Sequence, residues 1–182
     1  ALAAEGCAYR GVLFAGVMLT VDGPQVLEFN CRLGDPEAQV LLPLLRVGLP
    51  EAFAAVTGGL VDADGRLAGD DLLAPDRAAC GVVLASQGYP ATTLPGVPIH
   101  GVREAEAMAL VFHNGTARRG ERLVTAGGRV LTVTGLGPDL ATARARAYGA
   151  VARVAFAGMQ YRTDIGNRLL ATVGAGGGES CR

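Results

Sequence analysis

With 182 residues, half of them hydrophobic, and a mean hydropathy of +0.33, the chain can bury a substantial core as one or two small domains, which excludes a wholly disordered polymer. A net charge of −1 argues against general nucleic-acid binding. No apolar run of spanning length is free of Gly, Pro or charge, so a soluble, cytoplasmic protein without membrane partners is the expectation.

The average charge hides an asymmetry. Residues 1–76 hold 11 acidic residues and 4 Arg, net −7, whereas residues 77–182 hold 6 acidic residues and 12 Arg, net +6. The acidic part suits a cation and the basic part an anion. All 16 basic residues are Arg, so a P-loop lysine is excluded. Phosphate must be met by guanidinium forks, His or backbone N–H groups. Cys7, Cys31, Cys80 and Cys181 show no CxxC spacing, which points to reduced, buried thiols rather than a zinc site or a disulfide framework.

The chain begins with Ala and enters a strand pattern at Val12 with no domain before it, as expected of a piece of something longer. Residues 12–20, VLFAGVMLT, form an almost continuous apolar run that predicts a central strand buried on both faces. Asp22-Gly23-Pro24 predicts the turn, and a strand from about Gln25 returns antiparallel. Alternation in that strand puts Val26, Glu28 and Asn30 on one face and the anchoring Leu27 and Phe29 on the other. Glu28 and Asn30 are then roughly 7 Å apart at the backbone, close enough for two oxygen donors to converge on one hard cation such as Mg²⁺.

Past Asn30 the pattern changes. Gly34 permits a tight turn, Asp35 is a favoured N-cap, Pro36 suits the first helical position and Glu37 complements the helix dipole. A helix is predicted from Pro36 to Leu45 with Pro43 as a kink or stop, and a second from Pro50 through Val56 to Gly58-Gly59. Residues 61–77 are acidic, rich in turn formers and without a period, and predict a linker between domains at 1–60 and 78–170.

In the second domain, strands are predicted at Ala79–Ala85, Leu110–His113, Glu121–Thr125 and Arg129–Thr134, with Gly127-Gly128 as a hairpin turn between the last two. A helix from Pro138 puts Leu140, Ala143, Ala147, Val151 and Val154 on one stripe. Residues 171–182 read as a flexible, Gly-rich tail. His100 and His113 have no nearby ligand set and read as surface or structural residues. The whole is an α+β chain.

Several stretches carry a family resemblance in the right order: YRGVLFAGVML (9–19), VLEFNCRLGDPEAQVLLPLL (26–45), VVLASQGYP (82–90), VFHNGTA (111–117), GGRVLTVTGLG (127–137) and YRTDIGNR (161–168). Together they resemble glycinamide ribonucleotide synthetase, an ATP-grasp ligase, including the form at the front of the animal trifunctional purine-synthesis protein. The resemblance implies the C-terminal part of an ATP-grasp domain followed by a small, mostly β domain with one packed helix. It implies an enzyme that uses ATP and Mg²⁺ or Mn²⁺ to join glycine to 5-phosphoribosylamine through a glycyl phosphate.

By position, Glu28 and Asn30 match the family's metal ligands and Arg32 the arginine beside the transferred phosphoryl group. Asp35 and Glu37 match the amine or ribose side of the substrate site, and Arg129 the arginine on the ribose 5-phosphate. Helix capping and a surface hairpin are the structural alternatives for Asp35 and Arg129, and a structural ion pair is the favoured reading of Arg162 with Asp164. Leu33 stands where the family usually has Phe. Gly16 stands where many ATP-grasp enzymes have a further metal-binding acid. The N-terminal half of the enzyme is a missing partner, and the fragment alone is expected to be inactive. Another ATP-grasp carboxylate–amine ligase and a non-catalytic interaction fragment remain as alternatives.

Overall fold

The computed structural model describes residues 2–57, 74 and 76–175, so most of the linker expected over 61–77 lies outside the described residues. The chain divides into two compact units, residues 1–74 and 75–182. No helix among the described residues is long and apolar enough to cross a membrane.

The first unit is built on an antiparallel hairpin of β1 (Phe14–Thr20) and β2 (Gly23–Asn30). Its turn is Val21-Asp22, one residue earlier than expected, closed by the Thr20 hydroxyl, which donates to the Gly23 carbonyl at 2.8 Å. The register slips between Gly16 and Val17, which face Glu28 and Val26, so that Leu27 is the extra residue of a bulge. Bulges bend and twist the strand that carries them.

Two expectations about this hairpin fail. β1 is not buried on both faces, and Leu27 and Phe29 are exposed rather than packed into a core: Leu19 is 81% exposed, Leu27 65% and Phe29 61%. A two-stranded hairpin has no second layer of its own, so its apolar side chains stay open whatever their sequence pattern.

Helix α1 (Ala38–Leu41) continues into a 3-10 turn (Leu42–Leu44) and ends at extended Leu45, as the position of Pro43 predicts. It starts two residues later than expected. Asp35 is not its N-cap, which is Glu37; the Asp35 carboxylate instead accepts from Gln39 Nε2 at 2.8 Å. Helix α2 (Leu49–Val56) follows closely where predicted.

The second unit is a three-stranded antiparallel sheet in the order β3 (Ala78–Ala85), β7 (Arg129–Gly137), β4 (Leu110–His113). Beside it lies a separate hairpin of β5 (Thr116–Arg119) and β6 (Arg122–Thr125). Gly127-Gly128 is therefore a crossing between sheets and not a hairpin turn. β5 and the short helix α3 (Val102–Glu106) were not expected, nor was α5 (Asn167–Ala175), which replaces the start of the flexible tail.

Helix α4 (Leu140–Val151) packs on β7 and β3. Its stripe of Ala143, Ala147 and Ala150 is fully buried, and β7 meets it with glycines. A Cβ on Gly135 would collide with the Ala143 carbonyl, and one on Gly137 would lie 2.7 Å from the Ala143 nitrogen. Small residues on both sides thus let backbone approach backbone. Val130, Leu131, Thr132, Val133 and Thr134 are all buried, which makes β7, rather than β1, the central strand.

The stretch after α4 is tied back onto that helix. Arg144 Nε donates to the Ile165 carbonyl at 2.7 Å and its NH2 to Thr163 at 3.0 Å, while its guanidinium lies 4.6 Å from the Tyr148 ring centroid. The Tyr148 hydroxyl donates to the Arg162 carbonyl at 2.7 Å and accepts from the Ile165 amide at 3.1 Å.

Cys80 is buried and free, and burial raises its thiol pKa, with nearby Arg144 opposing. Cys7 and Cys31 are free but exposed, against the expectation of buried thiols, because they flank the uncovered hairpin.

Candidate functional site

The end of β2 holds the densest polar arrangement of the first unit. Asn30 Nδ2 donates to Glu28 Oε1 at 2.9 Å, which puts the two side chains on one face as alternation requires. Arg32 NH1 donates to the Leu33 carbonyl at 3.0 Å, and its NH2 reaches Asn30 Oδ1 at 3.5 Å. Glu28, Asn30 and Arg32 therefore form one connected line.

β1 makes room for that line. Gly16 faces Glu28 across the ladder, and a Cβ there would lie 3.2 Å from Glu28 Cγ, tighter than an ordinary contact. Glu28 and Asn30 offer a carboxylate and an amide oxygen, the hard donors that Mg²⁺ and Mn²⁺ prefer. Among the described residues no group of three or more His, Cys, Asp or Glu side chains could hold a metal ion. A cation here would take its other ligands from water and from phosphate, which is the usual way Mg²⁺ is bound with nucleotides. The donor set fits.

The remaining candidates lie elsewhere. Asp35 turns to Gln39, and the Glu37 carboxylate folds back over the buried Gly34, where it would collide with any added Cβ. Arg129 is in the second unit, half-buried at the start of β7 opposite Ala85.

Around Arg129 three loops meet. The Ser86 amide donates to the Gly128 carbonyl at 2.8 Å, the Asn114 and Gly115 amides both reach the Val130 carbonyl at 3.1 Å, and the Ala126 amide donates to Gly115 at 2.8 Å. Gly128 is needed here: a Cβ would lie 2.5 Å from the Tyr89 ring. Ser86 Oγ is buried with no hydrogen-bond partner among the described residues, and Asn114 Oδ1 accepts from the Thr132 hydroxyl at 2.9 Å. Ser86 and Asn114 lie in two of the family-like stretches, but as single polar residues beside apolar runs they carry no sequence signal of their own.

Arg162 and Asp164 form a two-pronged, exposed ion pair, Nε to Oδ1 at 2.9 Å and NH2 to Oδ2 at 2.6 Å. The Arg162 hydrogen bond holds the Asp164 carboxyl below its usual range and the same pairing raises Arg162. Asp139, the N-cap of α4, is lowered mainly by the Thr142 amide, which donates to Oδ1 at 2.6 Å.

A carboxyl whose folded pKa is depressed adds stability that is complete above the unfolded value, about 3.9. That stability is lost as pH falls through the folded value. Asp139→Ala is expected to lower the melting temperature of the second unit at pH 7. The gap from the parent chain should narrow below about pH 4. Thermal melts across that range check this, and a gap that stays constant would show that the cap's charge is irrelevant.

Most of the chain is similar to known proteins. Residues 79–168 match the model of the phosphoribosylglycinamide synthetase C domain, and residues 1–38 that of its ATP-grasp (A) domain. The trifunctional purine biosynthetic protein adenosine-3 of Gallus gallus is 49% identical over 168 residues, which are 92% of this chain and 16% of that protein. A phosphoribosylamine–glycine ligase of Streptomyces coelicolor is 47% identical over 166 residues, 88% of this chain and 38% of the relative. The crystal structure of phosphoribosylamine–glycine ligase from Thermotoga maritima matches with a TM-score of 0.70 at 40% identity, over 90% of this chain and 39% of that one. The chain thus spans well under half the length of each of these relatives. With an ATP-grasp end and a C domain in the same order, the chain belongs to the phosphoribosylglycinamide synthetase family.

Proposed function

We propose that the chain is the C-terminal portion of a phosphoribosylamine–glycine ligase of purine biosynthesis, working in the cytoplasm on small-molecule substrates. The observation that carries this reading is the Glu28–Asn30–Arg32 line at the end of β2, within the ATP-grasp match.

In this reaction the glycine carboxylate takes the γ-phosphoryl group of ATP, releasing ADP. The amine of 5-phosphoribosylamine then attacks the acyl carbon, phosphate leaves, and a proton is lost from nitrogen. Activation by phosphorylation makes the carboxyl electrophilic without a Ser or Cys nucleophile, so the protein's task is to position groups and to balance phosphate charge.

Glu28 and Asn30 would hold a divalent cation, Mg²⁺ or Mn²⁺, which when bound offsets charge on the ATP phosphates. Arg32, whose guanidinium reaches Asn30 Oδ1, would meet the charge of the transferred phosphoryl group. Asp35 and Glu37 would serve the amine or ribose side, and Arg129 the 5-phosphate, where a planar fork grips two oxygens at once. The uncovered faces of the β1–β2 hairpin fit a second layer supplied by the rest of the enzyme.

The test is an assay of the chain extended to the length of its bacterial relatives. ATP, glycine and phosphoribosylamine together should yield glycinamide ribonucleotide, with no product from the 182-residue chain alone. In the extended enzyme, Arg129→Ala should raise the KM for phosphoribosylamine by about 10- to 100-fold with the KM for ATP unchanged. A selective rise in the KM for ATP would put Arg129 in a different site.

A further inference from the structure

The β5–β6 hairpin carries an arrangement that its own stability does not favour. Arg119 lies directly opposite Arg122, and like charges at opposed positions weaken a two-stranded ladder. Arg118 is the residue before. Among the described residues none of these three arginines forms an ion pair, although Glu121 is in the connecting turn.

Two adjoining grooves share Arg122. The larger, about 780 Å³, is lined by His100, Arg103, His113, Arg118 and Arg122. The smaller, about 570 Å³, is lined by Gly96, Pro98, Arg119, Glu121, Arg122 and Val124. Each volume is in the range of small-molecule sites, about 300–1,000 Å³.

The groove wall is pinned from several directions. Ile99 donates to the Leu123 carbonyl at 2.9 Å, and His100 and Ala155 exchange backbone hydrogen bonds of 2.9 and 3.1 Å. Gly101 has φ +77° and presses on the Arg153 carbonyl so closely that no Cβ would fit. His113 Nδ1 and the Thr116 hydroxyl are hydrogen-bonded at 2.9 Å, which holds that ring in place. The arginines therefore project from a scaffold built before any ligand arrives, so little ordering of backbone is needed on binding.

We propose that the smaller groove forms a binding site for a phosphate-chain anion, either pyrophosphate or the di- or triphosphate group of a nucleotide, held between Arg119 and Arg122, while Arg118, the next residue on the strand, faces the larger groove. Guanidinium forks match phosphate oxygens in pairs, and two opposed forks call for two linked anionic groups rather than one. Glu104, Glu106 and Glu121 also line the larger groove. They repel an anion spread along its whole length and accept hydrogen bonds from hydroxyl or amino groups, which favours a ligand with a charged end and a polar organic end. The site uses none of Glu28, Asn30 and Arg32.

The experiment is a titration of the 182-residue chain with sodium pyrophosphate at constant ionic strength and without divalent cation, followed by ¹H–¹⁵N spectra. Saturable shifts centred on residues 118–122 are expected, together with at least about a tenfold loss of affinity in the Arg119→Gln/Arg122→Gln double variant. Removal of the opposed charges should leave the melting temperature of that variant, without ligand, no lower than the parent's. Arg122→Lys keeps the charge and loses the fork, and should bind more weakly than the parent. Linear shifts reproduced by sulfate, an affinity unchanged in the double variant, or shifts centred on residues 28–32 would each overturn the proposal.

Discussion

Glu28→Gln, made in a chain extended to the length of the bacterial relatives, should lower ATP-dependent turnover by about 100-fold or more. It should also raise the Mg²⁺ concentration at half-maximal rate. Gln has nearly the same shape and can still accept from Asn30 Nδ2, the contact that Glu28 makes at 2.9 Å. What it lacks is the negative charge, and charge is what draws a hard cation to an oxygen site. The residue is exposed, and exposed substitutions that keep their contacts scarcely alter stability. Loss of activity with an unmoved melting temperature is therefore the expected pair of results. Unchanged Mg²⁺ dependence would remove Glu28 from the metal set.

The second large effect concerns stability. Gly135→Ala places a methyl group where the Ala143 carbonyl and the Ala147 backbone of α4 already lie. Neither neighbour is a flexible side chain, so the helix must lift from β7 as a body. Overpacking of this kind costs about 3 kcal/mol or more. For a unit of this size the melting temperature should fall on the order of 15 °C. Gly149→Ala, on the same helix, is the contrast: its Cβ meets only the end of Met108, at 3.1 Å, and alanine favours helix over glycine by about 1 kcal/mol. If calorimetry finds both variants equally stable, the close contact of α4 with β7 is not what holds this unit together.

Local features were legible in the residues themselves. Alternation after Leu27 is enough to put Glu28 and Asn30 side by side, and Pro43 is enough to end the helix near Leu45. The helix read from Pro138 starts at Leu140, with Asp139 as its N-cap.

Features that depend on distant partners were not legible. The apolar run at 12–20 says that a surface wants cover but not whether the chain provides it. Gly127-Gly128 between two apolar runs has the composition of a hairpin turn, yet β7 takes β3 and β4 as neighbours and leaves β6 to β5. β5, Thr-Ala-Arg-Arg, is polar and mostly exposed, so no burial pattern marks it as a strand. At Asp35 the expected cap fails: Glu37 stands at the N-cap of α1, and the Asp35 carboxylate accepts from Gln39 Nε2. Arg129 could be named from the family resemblance alone, whereas the three loops around it required the pairing of β7 to be known.

The strand order β3-β7-β4 also has a consequence for how the chain is made. During synthesis β3 and β4 emerge first, but they do not pair with each other, and each has β7 as its sheet partner. The strand between them begins at Arg129, more than forty residues after β3 ends at Ala85. Until it leaves the ribosome, both earlier strands present open edges, the state in which nascent chains are most exposed to wrong pairing. Closure is then non-local, with the loop entropy of a long separation set against it. The second unit thus completes its sheet by insertion of its last strand between the two earlier ones.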